Sequence, residues 1–221
     1  ASEEIKSVDG KERDKTKVLE LMKSLARNTA TSAADTTILE DIKSNITSMH
    51  INTVNEYLKD LRELYVIEDL PAWTPKIRSK TAVRTKYVRH FSDPALAAAL
   101  LNAGPNDLIN DINTFGFLFE SLVIRDLRIY AQRINGEVYH YRDSSNLEVD
   151  AIIHLSDGRW GAAEIKLGAG QIDEAAINLQ KLKNKVDLKK KPSFLMVITG
   201  TEYAYKREDD VYVIPIGVLR D

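Results

Sequence analysis

The sequence predicts an α+β protein, with helices in its first half and a mixed sheet flanked by helices in its second half. In the first half, apolar residues recur with the spacing of amphipathic helices, each of which buries one face. From Val138 onward the apolar residues alternate instead, which is the period of a strand with one buried face. This change of period, together with the helix-breaking pairs Asp93-Pro94 and Gly104-Pro105, predicts two domains.

The composition narrows the class of protein. The chain contains no cysteine, which excludes disulfide bonds and thiolate metal sites and fits a reducing compartment. No apolar run reaches the roughly 20 residues that a membrane-spanning helix needs, and no signal peptide precedes the first helix. We therefore expect a cytoplasmic protein with no membrane partner. Because the chain starts at Ala1–Glu4 without an initiator methionine, we interpret it as a fragment of a longer protein.

The first predicted domain covers residues 15–94 and follows a polar segment, residues 1–14, that we expect to be flexible. It shows three short helical patterns and then two strand patterns, at Val66–Trp73 and Lys86–Phe91. The third helix is predicted to run from Asn52, as its N-cap, to Leu64. Three helices followed by a two-stranded hairpin is the order of a winged helix, in which the third helix is the recognition helix and the loop between the strands is the wing.

A winged helix contacts DNA through these two parts, because the helix enters the major groove and cations of the wing meet phosphates. The alternative is a winged helix that docks proteins or acts as a spacer. The helix positions expected to face DNA are His50, Asn55, Glu56 and Lys59. The basic residues expected to bind DNA are Lys76, Arg78, Lys80, Arg84, Lys86 and Arg89, and a second basic cluster spans Lys181–Lys191.

The second predicted domain covers residues 95–221. After a short helix at Ala95–Asn102, a long helix at Phe115–Arg133 carries Glu120 among apolar residues. Three strands follow, and an Asp-Gly turn at Ser156-Asp157-Gly158 makes a hairpin of the last two. The predicted strands are Val138–Arg142, Leu147–Leu155 and Arg159–Leu167, followed by a helix at Gln171–Leu182 and strands at Phe194–Thr199 and Val211–Pro215.

The hairpin carries charged residues that are candidates for a functional site. Alternation places Asp150 on one face of its strand, and Glu164 and Lys166, two residues apart, share one face of the next strand. Two carboxylates and an ammonium on adjacent strands can hold a hard cation through oxygen ligands and place a positive charge beside it. The alternative is a surface ion pair, which contributes less than about 1 kcal/mol.

These elements and residues resemble the PD-(D/E)xK phosphodiesterase superfamily, whose motif reads here as Asp150 followed by Ala163-Glu164-Ile165-Lys166. Val149 stands where many members have proline. The resemblance implies a restriction-endonuclease-like core, Mg²⁺ or Mn²⁺ as cofactor if the site is active, and DNA as substrate. It implies catalytic roles for Glu120, Asp150, Glu164 and Lys166, and a metal held by Asp150, Glu164, the backbone carbonyl of Ile165 and Glu120.

The winged-helix pattern is combined with four segments: Arg89–Pro94, Gly116–Val123, Leu147–Asp150 and Gly161–Lys166. This combination is similar to the C-terminal region of prokaryotic AAA-type ATPases that end in a domain of unknown function. That similarity implies a missing N-terminal ATPase region as a partner. The chain has no glycine-rich phosphate-binding motif with the required Lys and Ser/Thr, so we expect no ATP site here. Two functions stay open: a metal-dependent DNA phosphodiesterase, or a non-catalytic DNA- or protein-binding module that regulates the ATPase.

Overall fold

The computed structural model describes residues 13–75, 86–186 and 191–219. Within these ranges the α+β class is confirmed, since seven helices accompany a six-stranded mixed sheet and a separate two-stranded sheet. None of the helices in these ranges is both long enough and apolar enough to cross a membrane. The chain divides into two compact units: Ala1–Asp69 with Val88–Ser121, and Leu70–Tyr87 with Leu122–Asp221.

This division does not follow the predicted boundary at residue 94. Residues 95–121, which were predicted to belong to the second domain, group with the first unit, and residues 70–87 group with the second unit. The predicted domain ranges stay a prediction, because grouping by contacts does not test whether residues 15–94 fold on their own.

The first unit is built on helices with one buried face each. Asp14 caps the first helix, because its carboxylate accepts hydrogen bonds from the backbone N–H groups of Thr16 and Lys17. Buried side chains of three helices, among them Leu21, Ile38 and Leu58, form one apolar core. The elements are α1 (Lys15–Arg27), α2 (Asp35–Lys43), α3 (Ile51–Glu63), β1 (Ile67–Leu70), β2 (Val88–Phe91), α4 (Pro94–Leu100), α5 (Pro105–Asn110) and α6 (Ile112–Arg133). The unit division falls before the last residue of β1 and within α6.

Two details of the first unit differ from the sequence predictions. The N-cap of α3 is His50 rather than Asn52, and its side chain makes no capping hydrogen bond. Residues 1–12 of the segment expected to be flexible lie outside the described residues, but Arg13 is held by an ion pair of 2.8 Å between its Nε and Oδ2 of Asp60. Strands β1 and β2 pair with each other, as the hairpin prediction required.

The second unit contains the six-stranded sheet, in the order β3-β4-β5-β6-β8-β7. Neighbours β3, β4 and β5 are antiparallel, whereas β6 lies parallel to both β5 and β8. The two-residue strand β7 had not been predicted. The elements are β3 (Gly136–Arg142), β4 (Glu148–Leu155), β5 (Trp160–Lys166), α7 (Ile172–Lys185), β6 (Leu195–Thr199), β7 (Tyr205–Lys206) and β8 (Tyr212–Pro215).

The turn between β4 and β5 sets the register of the strands that carry the candidate site. Gly158 has a φ of 81°, a conformation that glycine adopts without steric cost. The Asp157 carboxylate accepts a hydrogen bond of 2.9 Å from the N–H of Arg159, which closes the turn. In the resulting register Ala151 lies opposite Ala163. Helix α7 covers one face of this sheet, where Leu179 and Leu182 pack with Ala162 and Val197 in the core of the unit.

Candidate functional site

The hairpin of β4 and β5 places the predicted acidic residues side by side. Since Ala151 is paired with Ala163 in an antiparallel register, the next position along both strands places Asp150 beside Glu164. Glu164 and Lys166 follow Ala162 at two-residue steps, so they lie on the face that packs against α7. Local strand geometry therefore directs the three charged side chains to one place.

Lys166 joins the two carboxylates. Its Nζ lies 2.9 Å from Oδ2 of Asp150 and 2.7 Å from Oε2 of Glu164. The separation of these two oxygens cannot exceed the sum of those distances, which is close to the span of two metal–oxygen bonds of roughly 2.0–2.6 Å each. The structure thus brings together three of the four residues predicted to be catalytic.

Further hydrogen bonds hold both carboxylates. Oδ2 of Asp150 also accepts a hydrogen bond of 2.7 Å from the backbone N–H of Ile165. Oε1 of Glu164 accepts one of 3.1 Å from Nδ2 of Asn178, on α7. The same nitrogen lies 3.1 Å from the backbone oxygen of Glu148, at the start of β4. Each carboxylate is therefore held by a neutral donor as well as by the ammonium group.

The two acids differ in how deeply they are buried. The Glu164 side chain is 3% exposed, against 20% for Asp150 and 24% for Lys166. Burial and then the charge of Asp150 raise the pKa of Glu164, although Lys166 opposes the rise. Burial alone would lower the pKa of Lys166, but Asp150 and Glu164 outweigh it, so that pKa lies above its ordinary value. Lys166 therefore stays an ammonium near neutral pH, and Glu164 is the group that takes up a proton.

This shift predicts how the stability of the metal-free protein depends on pH. Folded Glu164 binds its proton more tightly than unfolded Glu164, so its contribution to stability is complete below its ordinary pKa of 4.5 and is lost as pH rises through about 8. The free energy of unfolding of the wild type, relative to Glu164→Gln, should therefore fall across that interval. Denaturant titrations with a chelator at several pH values measure it.

Burial also lowers the pKa of His140, and this shift makes the free energy of unfolding rise with pH. The comparison with Glu164→Gln is needed to remove that contribution. Both proteins contain His140, so its contribution cancels in the difference. A difference that is constant with pH would contradict the prediction.

The donor atoms present suit a hard divalent cation. Two carboxylate oxygens face one point, which the Lys166 ammonium contacts, so the site already accommodates positive charge. The carbonyl of Ile165 faces the same neighbouring strand as its N–H, because both groups of a strand residue point to one side. Within the described part of the chain, no three His, Cys, Asp or Glu side chains form a metal-binding group. Mg²⁺ nevertheless often uses only one or two carboxylates and keeps several waters.

The fourth predicted residue, Glu120, is a partly exposed residue of α6 and belongs to the first unit, whereas the other three belong to the second. Its proposed share in a metal site stays a prediction.

The residues predicted to bind DNA differ in exposure and in ion pairing. Lys76, Arg78, Lys80 and Arg84 lie outside the described residues. Lys86 is exposed. Arg89 is largely buried and pairs with Asp69 at 3.2 Å and with Asp35 at 3.0 Å, so carboxylates of its own unit already neutralise its charge. The helix positions expected to face DNA, His50, Asn55, Glu56 and Lys59, are all exposed.

Sequence reasoning missed Asn178. It is a partly buried polar residue among the buried residues Ala175, Leu179 and Leu182 of α7. The sequence did contain a signal for Asn178. It is a polar residue at the edge of an apolar stripe, on the helix that follows Glu164 and Lys166.

Comparison with protein families divides the chain into two parts. Residues 115–219 match the family model described as Domain of unknown function (DUF4143), and residues 3–107 match another, Domain of unknown function (DUF8612). Each match covers just under half of the chain, and neither description names an activity. No curated protein and no solved structure matches the chain. The C-terminal part is thus similar to a domain found in proteins associated with AAA-type ATPases.

Proposed function

We propose that the second unit is a metal-dependent DNA phosphodiesterase whose site consists of Asp150, Glu164 and Lys166. The observation that carries this proposal is that two carboxylates on adjacent strands face one point, at which Lys166 contacts both. This set of residues, on a hairpin that is followed by a helix and a parallel strand, resembles the PD-(D/E)xK core. Glu120 is proposed as an additional carboxylate of the site.

Each residue has a distinct role in this proposal. Asp150, Glu164 and the carbonyl of Ile165 would hold Mg²⁺ or Mn²⁺. When bound, such a cation stabilises negative charge on phosphoryl oxygens and makes water more acidic. Lys166 would leave the carboxylates and bring its ammonium to the phosphoryl group, where it orients the attacking water and neutralises developing charge. The chain's own contribution is therefore a cation-binding pair of acids and a mobile positive charge.

The N-terminal part is proposed to be a winged helix that contacts DNA. The order α1, α2, α3, β1, β2 supports it, as do the exposed polar positions of α3. We further propose that both parts act together with an ATPase region of a longer protein. Retardation of duplex DNA in a native gel by the purified chain tests the DNA contact.

The alternative function is a non-catalytic module that binds DNA or protein and regulates an ATPase. Lys166 contacts both carboxylates, and Glu164 is almost wholly buried, which also suits a purely structural ion-pair cluster. The similarity of the C-terminal part to a domain of AAA-associated proteins is compatible with either function.

Cleavage of plasmid and single-stranded DNA separates the two functions. We expect the purified chain to cut DNA with Mg²⁺ or Mn²⁺ and to lose this activity with excess chelator, because the cation supplies the charge stabilisation. Asp150→Asn, prepared in the same way, should lose most of the activity. Cleavage that ignores chelator would indicate a contaminating nuclease. A wild type that neither cleaves DNA nor binds Mn²⁺ would overturn the proposal and favour the regulatory module.

A further inference from the structure

Asn178 connects three elements around the candidate site. Its side-chain nitrogen lies 3.1 Å from Oε1 of Glu164, on β5, and 3.1 Å from the backbone oxygen of Glu148, at the start of β4. Both neighbours are oxygen atoms that accept hydrogen bonds, and an asparagine amide has two N–H donors on one nitrogen. The amide therefore presents its NH₂ group to this pair, and the opposite orientation would place three acceptor oxygens together.

The contact divides the two oxygens of Glu164 between two partners. Oε1 accepts a hydrogen bond from the amide of Asn178, and Oε2 forms an ion pair of 2.7 Å with the ammonium of Lys166. A carboxylate held at both oxygens has little freedom to rotate about its last bond, which is otherwise a broad torsion. Oε2 is consequently the oxygen on the side of Asp150, whose own Oδ2 lies 2.9 Å from the same ammonium.

We propose that Asn178 is a positioning residue of the candidate metal site, which holds Oε1 of Glu164 so that Oε2 faces Asp150. This inference rests on the proposed function, because it assigns Asn178 a part in cation binding. Asn178 touches neither the cation nor a substrate in this arrangement. It acts through Glu164, and its bond to the backbone of β4 keeps the amide in place when Lys166 moves away.

The position of Asn178 in its helix supports a role in orienting Glu164. It borders the apolar stripe of α7, where Ala175 and Leu179 are buried, and asparagine is a poorer helix former than alanine. Asn184, on the same helix, is exposed. The two asparagines form a matched pair, because both stand in the same helix while only Asn178 contacts Glu164.

The first test examines the contact without metal. The side-chain NH₂ signals of Asn178 in a nitrogen-15 NMR spectrum should move in Glu164→Ala, and their exchange with solvent should become about tenfold faster as the hydrogen bond is lost. Glu164→Gln, which keeps the volume, serves if Glu164→Ala fails to fold, and should also move them. The signals of Asn184 should stay unchanged in both. Asn178 signals that do not respond to either change would overturn the inference.

The second test measures Mn²⁺ affinity by calorimetry on the purified chain, so that it does not depend on cleavage. Asn178→Ala and Asn178→Leu should each bind Mn²⁺ about 10- to 100-fold more weakly, as is usual when a residue behind a metal ligand is lost. Leucine restores the volume but not the donor, so wild-type affinity in Asn178→Leu would mean that Asn178 only fills space and would overturn the inference. Asn184→Ala should match the wild type.

The two tests separate the inference from the proposed function. If the wild type binds no Mn²⁺, the proposed function fails, and the NMR test alone decides whether Asn178 orients Glu164. If the wild type binds Mn²⁺ and both Asn178 variants bind it equally well, the proposed function stands and the inference about Asn178 is wrong.

Discussion

Lys166→Ala is expected to abolish DNA cleavage without weakening Mn²⁺ binding, whereas Glu164→Ala should abolish both. The ammonium of Lys166 contacts the same two carboxylate oxygens that would bind the cation. Lysine and cation therefore compete for these oxygens in the resting protein, and removal of the lysine relieves that competition. Cleavage should still fall by at least about a hundredfold to a thousandfold, because the charge that stabilises the transition state is gone.

Lys206→Ala is the matched control for this prediction. Lys206 also pairs with a carboxylate, Asp210, but both side chains are at least half exposed, and such pairs contribute little. Its replacement should leave cleavage and Mn²⁺ binding unchanged. Cleavage rates are measured under single-turnover conditions, and affinities by calorimetry. If Lys166→Ala loses Mn²⁺ binding as completely as Glu164→Ala, Lys166 supports the structure of the site rather than its chemistry.

Trp160→Ala should destabilise the chain by about 3–5 kcal/mol, which is the usual cost of removing a large buried aromatic side chain. Trp160 begins β5, is 2% exposed, and lies against Trp73 with ring centroids 4.8 Å apart. The same strand carries Glu164 and Lys166 four and six residues further on. Denaturant titration measures the loss, and we expect Mn²⁺ affinity to fall with it because the register of β5 is no longer held.

Tyr203→Ala provides the comparison for Trp160→Ala. Tyr203 is 71% exposed, so removal of its ring should change the free energy of unfolding by no more than about 0.5 kcal/mol. A loss below about 1 kcal/mol for Trp160→Ala would show that the paired tryptophans do not anchor the strand.

The element types and the grouping of Asp150, Glu164 and Lys166 could be predicted because both depend on local geometry. A helix with a buried stripe and a strand with alternating burial leave a period in the sequence. An Asp-Gly turn between two alternating segments makes neighbours of residues on either side of it, so that Asp150 and Glu164 meet. The short helix α5 and the two-residue strand β7 were missed, since six and two residues are too few to show a period.

Contacts between distant elements could not be predicted in this way. Arg89 was expected to contact DNA as part of a basic run, but in the fold it faces Asp35 and Asp69, which come from other elements. The pairing of β6 with both β5 and β8 likewise depends on how the chain crosses the sheet, and no short-range pattern records that path.

The sequence by itself determined that this is an α+β protein and that two acids and a lysine share one face of a hairpin, because backbone periodicity and turn chemistry act over a few residues. Only the tertiary structure decided that Glu164 is buried, that Lys166 contacts both acids and that Asn178 donates a hydrogen bond to the other oxygen of Glu164. The physical reason is that burial, and with it the raised pKa of Glu164, arises from the packing of α7 on the sheet. In the apolar core, side chains that are far apart in the sequence come into contact, so a short sequence pattern does not reveal which of them meet.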